Sequence, residues 1–154
     1  MQIIKPPQKT PYTSQPKVFL AGSIEMGVAE NWQSRVEKML ANTNAIIFNP
    51  RRDDWDASWV QSIDNPQFRE QVEWELDCLE RADVVAMYFD PTTKSPISLL
   101  ELGLFARTDS VLVVCCPDGF WRKGNVDIVC NRYEVKQVKN IDELVAETLR
   151  QIGL

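Results

Sequence analysis

The chain of 154 residues contains no histidine. This removes the side chain most often used for proton transfer near neutral pH, and with it the commonest metal-ligating imidazole. Cysteine does not fill the gap. Cys78, Cys115, Cys116 and Cys130 form no C-x-x-C pair, and without that spacing a zinc site is not supported. Adjacent Cys115 and Cys116 close the apolar run "VLVVCC", where small thiols pack as core residues. No cofactor or metal is expected. Basic runs are missing too: the net charge is −5 and the pI about 4.8. A nucleic-acid partner needs a basic patch, so none is expected. No apolar stretch approaches the roughly 18 residues of a spanning helix, and "MQIIKPPQKTPYTSQPK" lacks a signal-peptide core. The expectation is a cytoplasmic protein with no membrane partner. Neither G-x-G-x-x-G nor G-x-x-x-x-G-K-[ST] occurs, so dinucleotide and nucleoside-triphosphate fingerprints are absent.

What is present is an ordinary globular composition, 44% hydrophobic and 25% charged, in a chain long enough for one domain with a sizeable core. Residues 1–16 are rich in Pro, Thr, Gln and Lys and read as an extended leader, with a single domain over 17–154. "KVFLAG" (17–22), "NAIIFNP" (44–50), "ADVVAMYFD" (82–90), "DSVLVVCCP" (109–117) and the weaker "YEVKQV" (133–138) read as five strands. Helical spacing marks 29–41 and 65–82, a helix opened by Ser95 as N-cap with Pro96 at its first position, and a closing helix from Asn140. Continuously apolar strands alternating with helices predict a doubly wound five-stranded parallel sheet in an α/β, flavodoxin-like three-layer sandwich. Ligands in such folds bind at the carboxyl ends of the strands.

The segments at those ends carry the candidate residues. In "SPISLLELGLFA" the one charge is Glu101, whose helical neighbours Ile97, Leu104 and Phe105 are apolar. An unpaired buried charge costs several kcal/mol or more, so this carboxylate is either kept for chemistry or paired to a cation from another element. Ser98 shares its side of the helix. In "PQFREQVEWELDCLERAD" the stripe Phe68, Val72, Glu75, Leu79, Ala82 places Glu75 among apolar residues, while Glu70, Glu73, Asp77 and Glu80 face solvent. Two inward carboxylates on helices flanking one strand suit glycosidic chemistry, in which one attacks or stabilises the sugar cation and the other handles protons. The bland reading of Glu75 is a helix-edge side chain that snorkels to water. "GSIEMG", with Gly22 and Ser23, is either a ligand loop or a plain turn. "NPRRDDWDASW" gathers Arg51, Arg52, Asp54, Trp55 and Trp59, able to stack on a flat base and read its edge. Asp90 heads "FDPTTKSPIS". In "CPDGFWRKGNVD", Asn125 and Asp127 suit a hydroxyl-rich ligand, although Lys123-Gly124-Asn125 equally fits a bare turn.

In their order and spacing "VFLAGSI", "NPRR…DW", "WELDCLERADVV", "SPISLLELG" and "PDGFWRKGN" resemble the nucleoside 2-deoxyribosyltransferase family, in its transferase-like branch, over about residues 17 to 130. The resemblance implies Glu101 as nucleophile at C1′ of a 2′-deoxynucleoside, giving a covalent deoxyribosyl-enzyme that a second base resolves. It places Glu75 where the family often has an aspartate that contacts the base and assists its protonation. Substrate contacts fall on Phe19, Gly22, Ser23, Arg52, Asp54, Trp55, Asp90, Ser95, Ser98, Asn125 and Asp127. The implied partners are 2′-deoxynucleosides and free nucleobases, together with further copies of the chain in a homo-oligomer, where Asn125 completes a neighbour's pocket. Two departures are specific. Phe19 stands where a tyrosine often orients the nucleophile. Ser95 replaces an aspartate that binds the sugar 5′-hydroxyl, as in the related 2′-deoxynucleoside 5′-monophosphate N-glycosidases, where the serine faces phosphate. Ser95, Ser98 and a helix N-terminus would supply donors to a phosphate, and Lys94 or Arg52 charge. Base exchange with side hydrolysis is therefore the first expectation, and monophosphate hydrolysis the second. A non-catalytic nucleotide sensor is the third.

Overall fold

A computed structural model describes the whole chain except residues 26–28 and 55. Among the described residues the strands are β1 (Gln2–Ile4), β2 (Lys17–Gly22), β3 (Ile46–Phe48), β4 (Val84–Tyr88), β5 (Leu112–Cys115) and β6 (Lys136–Val138). The helices are α1 (Trp32–Met39), α2 (Pro66–Arg81), α3 (Pro96–Phe105), α4 (Lys123–Arg132) and α5 (Ile141–Gln151). All six strands are parallel, in the order β1-β3-β2-β4-β5-β6.

The apolar runs are continuous because both sheet faces are covered. Along β2, Phe19 and Ala21 enter the core layer of Trp74, Cys78 and Leu79 from α2, Leu102 from α3, and Val126 and Cys130 from α4. Val18 and Leu20 enter the opposite layer with Trp32, Val36 and Leu40 and, from α5, Ile141, Leu144 and Val145. The same alternation continues along β4, where Val85 and Met87 face one layer and Val84, Ala86 and Tyr88 the other. Chain reversal occurs beside β2: β3 lies on one side of it and β4 on the other. That strand order is the flavodoxin-like doubly wound one, with its ligand crevice between β2 and β4.

The sheet has six strands rather than five. Residues 2–4 of the leader pair with β3, Gln2 opposite Ile46 and Ile4 opposite Phe48. The strand was illegible because it is three residues long, precedes Pro6 and Pro7, and buries only Ile4. The leader is held further by the Trp74 indole N–H, which donates to the Gln8 carbonyl at 2.8 Å. A second difference is α4, which occupies the stretch read as a polar loop or turn. Its first turn is Lys123, Gly124 and Asn125, and its N-cap, Arg122, makes no side-chain cap, so the usual start signal is missing. The buried face of α2 is also rotated from the expected stripe. Gln71, Trp74, Cys78 and Leu79 are buried while Val72 is exposed, because the large indole and the leader above it claim the inward side.

Candidate active site

β2 ends at Gly22, paired with Tyr88 at the end of β4. Gly22 has φ +147°, and a Cβ there would lie 2.2 Å from the Tyr88 carbonyl oxygen and 2.9 Å from the Trp32 ring. Only glycine permits the two strand ends to approach so closely. This brings Ser23, the next residue, against the loop that follows β4. The Ser23 Oγ accepts from the Asp90 N–H at 2.9 Å and from Thr93 Oγ1 at 2.8 Å, and shares a short hydrogen bond with Ser95 Oγ. Thr93 Oγ1 also lies 2.8 Å from Ser95 Oγ. All three hydroxyls are buried, forming a closed network that fixes the crevice floor. Asp90, also buried, turns its carboxylate to its own loop, where Oδ1 accepts from the Thr92 N–H at 2.8 Å and from Thr92 Oγ1 at 2.7 Å.

Ser95 occupies the N-cap position of α3, as expected, but does not cap it. Its backbone is left-handed (φ 46°, ψ 54°), and its hydroxyl is drawn into the Ser23–Thr93 network instead. The amides just ahead of α3 are held by Glu25, whose Oε1 accepts from the N–H groups of Lys94 at 3.0 Å and Ser95 at 2.7 Å. Glu25 is itself left-handed, with φ 46°. Two non-glycine residues in this region cost on the order of 1–2 kcal/mol each, a strain typical of functional loops.

Glu101 stands two turns into α3 with only 7% of its surface exposed. Ser98 is buried on the same side, and helical side chains lean toward the N-terminus, so the Glu101 carboxyl is directed along the ridge from Ser98 to Ser95. Among the described residues it has no hydrogen-bond or ion-pair partner, which excludes the paired-cation reading of this residue. Burial, reinforced by the nearby Glu75 charge, raises its carboxyl from the usual 4.5 to about 8. Its inward orientation does not come from the flanking apolar residues: Ile97, Leu100 and Leu104 are each more than half exposed.

Glu75 approaches from α2. It is partly buried, and its carboxyl is raised to about 7 by desolvation, offset in part by a hydrogen bond from Gln71 Nε2 at 2.6 Å. Gln71 Nε2 also donates to the Pro50 carbonyl at 3.2 Å. Both carboxyls are thus held within reach of neutral pH, Glu101 at about 8 and Glu75 at about 7, and the Glu75 charge tightens the hold of Glu101 on its proton.

Arg52 and Asp54 form a close pair, Nε to Oδ1 2.9 Å and Nη2 to Oδ2 3.1 Å, with the guanidinium 5.0 Å from the Trp59 ring centre and 3.5 Å from Gln71 Oε1. The hydrogen bonds between them, and to a lesser degree their opposite charges, raise Arg52 and lower Asp54. Trp55 lies outside the described residues. Phe19 is completely buried beneath the site and presents no surface to a ligand; its role in this structure is packing. Asn125 is exposed on α4 and lines a cavity of about 340 Å³ with Leu99, Leu102, Gly103 and Trp121. That cavity lies between α3 and α4, away from the Glu101 carboxyl. Asp127 is engaged by Lys123 Nζ at 3.1 Å and Gln137 Nε2 at 2.8 Å, buttressing α4 against β6. The structure thus brings Gly22, Ser23, Asp90 and Ser95 together at the ends of β2 and β4, with Ser98 and Glu101 on the helix that follows and Glu75 near enough to Glu101 to raise it, whereas Asn125 and Asp127 lie on α4. Gln71, Thr93 and Glu25 were not singled out from the sequence. Gln71 was detectable as the i−4 neighbour of Glu75; the other two lie in strand-end loops whose contacts are long-range.

Strand order defines a doubly wound, flavodoxin-like α/β protein, and its helices α2 and α3 each carry a carboxyl raised by burial. No group of three or more acidic or cysteine side chains among the described residues is placed to hold a metal, and no helix there is long and apolar enough to cross a membrane. Residues 15–120, more than two thirds of the chain, match the family model described as nucleoside 2-deoxyribosyltransferase like. The chain belongs to this family. No curated protein matches it directly.

Proposed function

We propose that the protein exchanges the base of a 2′-deoxynucleoside, with hydrolysis when water takes the place of the acceptor. The observation that carries this reading is Glu101: buried, unpartnered, and coupled to a second carboxyl at the crevice between β2 and β4. At rest the proton sits on Glu101, at about 8 against about 7 for Glu75, so the reaction starts from the form in which it has passed to Glu75: the ionised Glu101 carboxylate then attacks C1′, the C1′–N bond breaks, and Glu75 gives the proton to the departing base. The C1′–O bond to Glu101 then breaks as a nitrogen of the incoming base attacks, and that base's proton returns to Glu75. Without a 2′-hydroxyl the oxocarbenium-like transition state is more accessible, so two carboxyls suffice and no cofactor takes part. Arg52, Asp54 and Trp59 flank Gln71 and provide the polar and aromatic groups for the base.

The assembly that accompanies this reading is a homo-oligomer. Its support is the exposed apolar face of Ile97, Leu100 and Leu104 on α3, adjoining the cavity that Asn125 lines. A face of this kind marks an interaction surface.

The test is chromatographic: purified protein with 2′-deoxyinosine and adenine, beside Glu101→Ala. Deoxyadenosine is expected from the wild type, and from the variant a rate lower by on the order of 10³-fold, as the covalent route is removed. Equal turnover by both proteins would overturn the assignment.

A further inference from the structure

We propose that Glu25 is the specificity-determining residue of this site, its carboxylate occupying the two backbone amides just ahead of α3 that a 5′-phosphate would need, so that neutral nucleosides are accepted and 5′-monophosphates refused. The inference rests on the nucleoside reading above and deepens it.

The direction of the substrate follows from α3. Glu101, Ser98 and Ser95 descend one ridge to the start of the helix, a rise of about 9 Å over six residues, part of which the backward lean of the Glu101 side chain covers. A sugar with C1′ at the Glu101 carboxylate and its 5′ arm along that ridge ends at the N–H groups of Lys94 and Ser95. Two successive backbone N–H groups that converge just ahead of a helix form an anion-binding concavity. Here one carboxylate oxygen already accepts from both amides, at 3.0 and 2.7 Å. The Glu25 charge has no compensating cation: no Lys or Arg among the described residues pairs with it, and the Lys94 ammonium lies instead 5.4 Å from the Trp121 ring centre. The surrounding hydroxyls of Ser23, Thr93 and Ser95 are spent on one another. A phosphate arriving here loses its donors and meets a like charge, whereas a 5′-hydroxyl can donate to the Glu25 carboxylate. The left-handed backbone of both Glu25 and Ser95 holds the two residues in this contact.

Glu25→Gln keeps the shape and removes the charge; Glu25→Ala opens the amides; Glu30→Gln, at an exposed position nearby, controls for net charge. The first readout needs no turnover: the amide resonances of Lys94 and Ser95 are followed while inorganic phosphate, then 2-deoxyribose 5-phosphate, is added. Saturable shifts are expected in both Glu25 variants and in neither the wild type nor Glu30→Gln. Unresponsive amides in the Glu25 variants, or an equal response in the wild type, would overturn the proposal. The second readout is the ratio of kcat/KM for deoxyinosine 5′-monophosphate over 2′-deoxyinosine. It is expected to rise about 100-fold in Glu25→Gln, as loss of a unit charge a few ångströms away predicts. An unchanged ratio in an active enzyme rejects the role of Glu25 and leaves base exchange standing. Responsive amides in a protein that turns over no deoxynucleoside reject base exchange and retain the anion gate.

Discussion

Replacing Glu101 with glutamine should stabilise the protein above neutral pH while removing its chemistry. In the native state burial and the Glu75 charge raise the Glu101 carboxyl from 4.5 to about 8. A carboxyl with a raised native pKa binds its proton more tightly when folded, so between those values the native state holds more protons than the unfolded chain. Its contribution to stability is therefore fully present below about pH 4.5 and is lost as pH rises through about 8. The difference, 8 − 4.5 = 3.5, corresponds to about 5 kcal/mol at roughly 1.36 kcal/mol per pKa unit. Part of that penalty belongs to the repulsion with Glu75, which the single substitution also relieves, and part is returned when the neutral amide is left buried without a partner. The net gain expected for Glu101→Gln is on the order of 2–4 kcal/mol near pH 9 and close to zero near pH 5. Urea unfolding followed by tryptophan fluorescence at both pH values measures it, and differencing variant against wild type cancels the titrating groups that do not interact with Glu101. A wild type as stable as the variant near pH 9 would refute the reasoning that this carboxyl is buried without a partner.

Two further outcomes follow from the same geometry. Gly22→Ala should destabilise the fold by about 3 kcal/mol or more, because its Cβ would meet the Tyr88 carbonyl at 2.2 Å in a backbone conformation only glycine favours; thermal unfolding checks this, and an unchanged Tm would contradict the strand-end contact. Gln71→Met removes the hydrogen bond that lowers Glu75, so the Glu75 carboxyl should rise further and the pH–rate limb that reports it should move to higher pH. A limb that stays in place would exclude Glu75 as the group titrating.

Much of the fold was legible because its signals are local. Apolar strands broken by Gly, Pro or Asn alternate with helices opened by Asn65-Pro66 and Asn140, whose side chains cap them in the structure by accepting from Phe68 N at 3.0 Å and Glu143 N at 2.8 Å. β1 and α4 escaped because one has a single buried residue and the other lacks an N-cap side chain. Glu101 was found for a partly mistaken reason. A lone charge in an apolar run drew attention, yet half of that run faces outward, and it is Ser98 and Leu102 that share its buried side.

By itself the sequence determined the parallel three-layer class and the absence of imidazole chemistry, and it marked Glu101 and Glu75 as candidates for acid–base work. Those follow from residue type and short-range period, which each segment carries in its own side chains. Only the tertiary structure decided that Glu101 has no partner among the described residues, that Glu75 is near enough to raise it, that Ser95 joins Ser23 rather than capping α3, and that Glu25 bonds the amides just ahead of that helix. Each of these is a meeting between segments brought together at the carboxyl ends of β2 and β4. Burial and desolvation, which set the charge state of such groups, exist only once those segments have met.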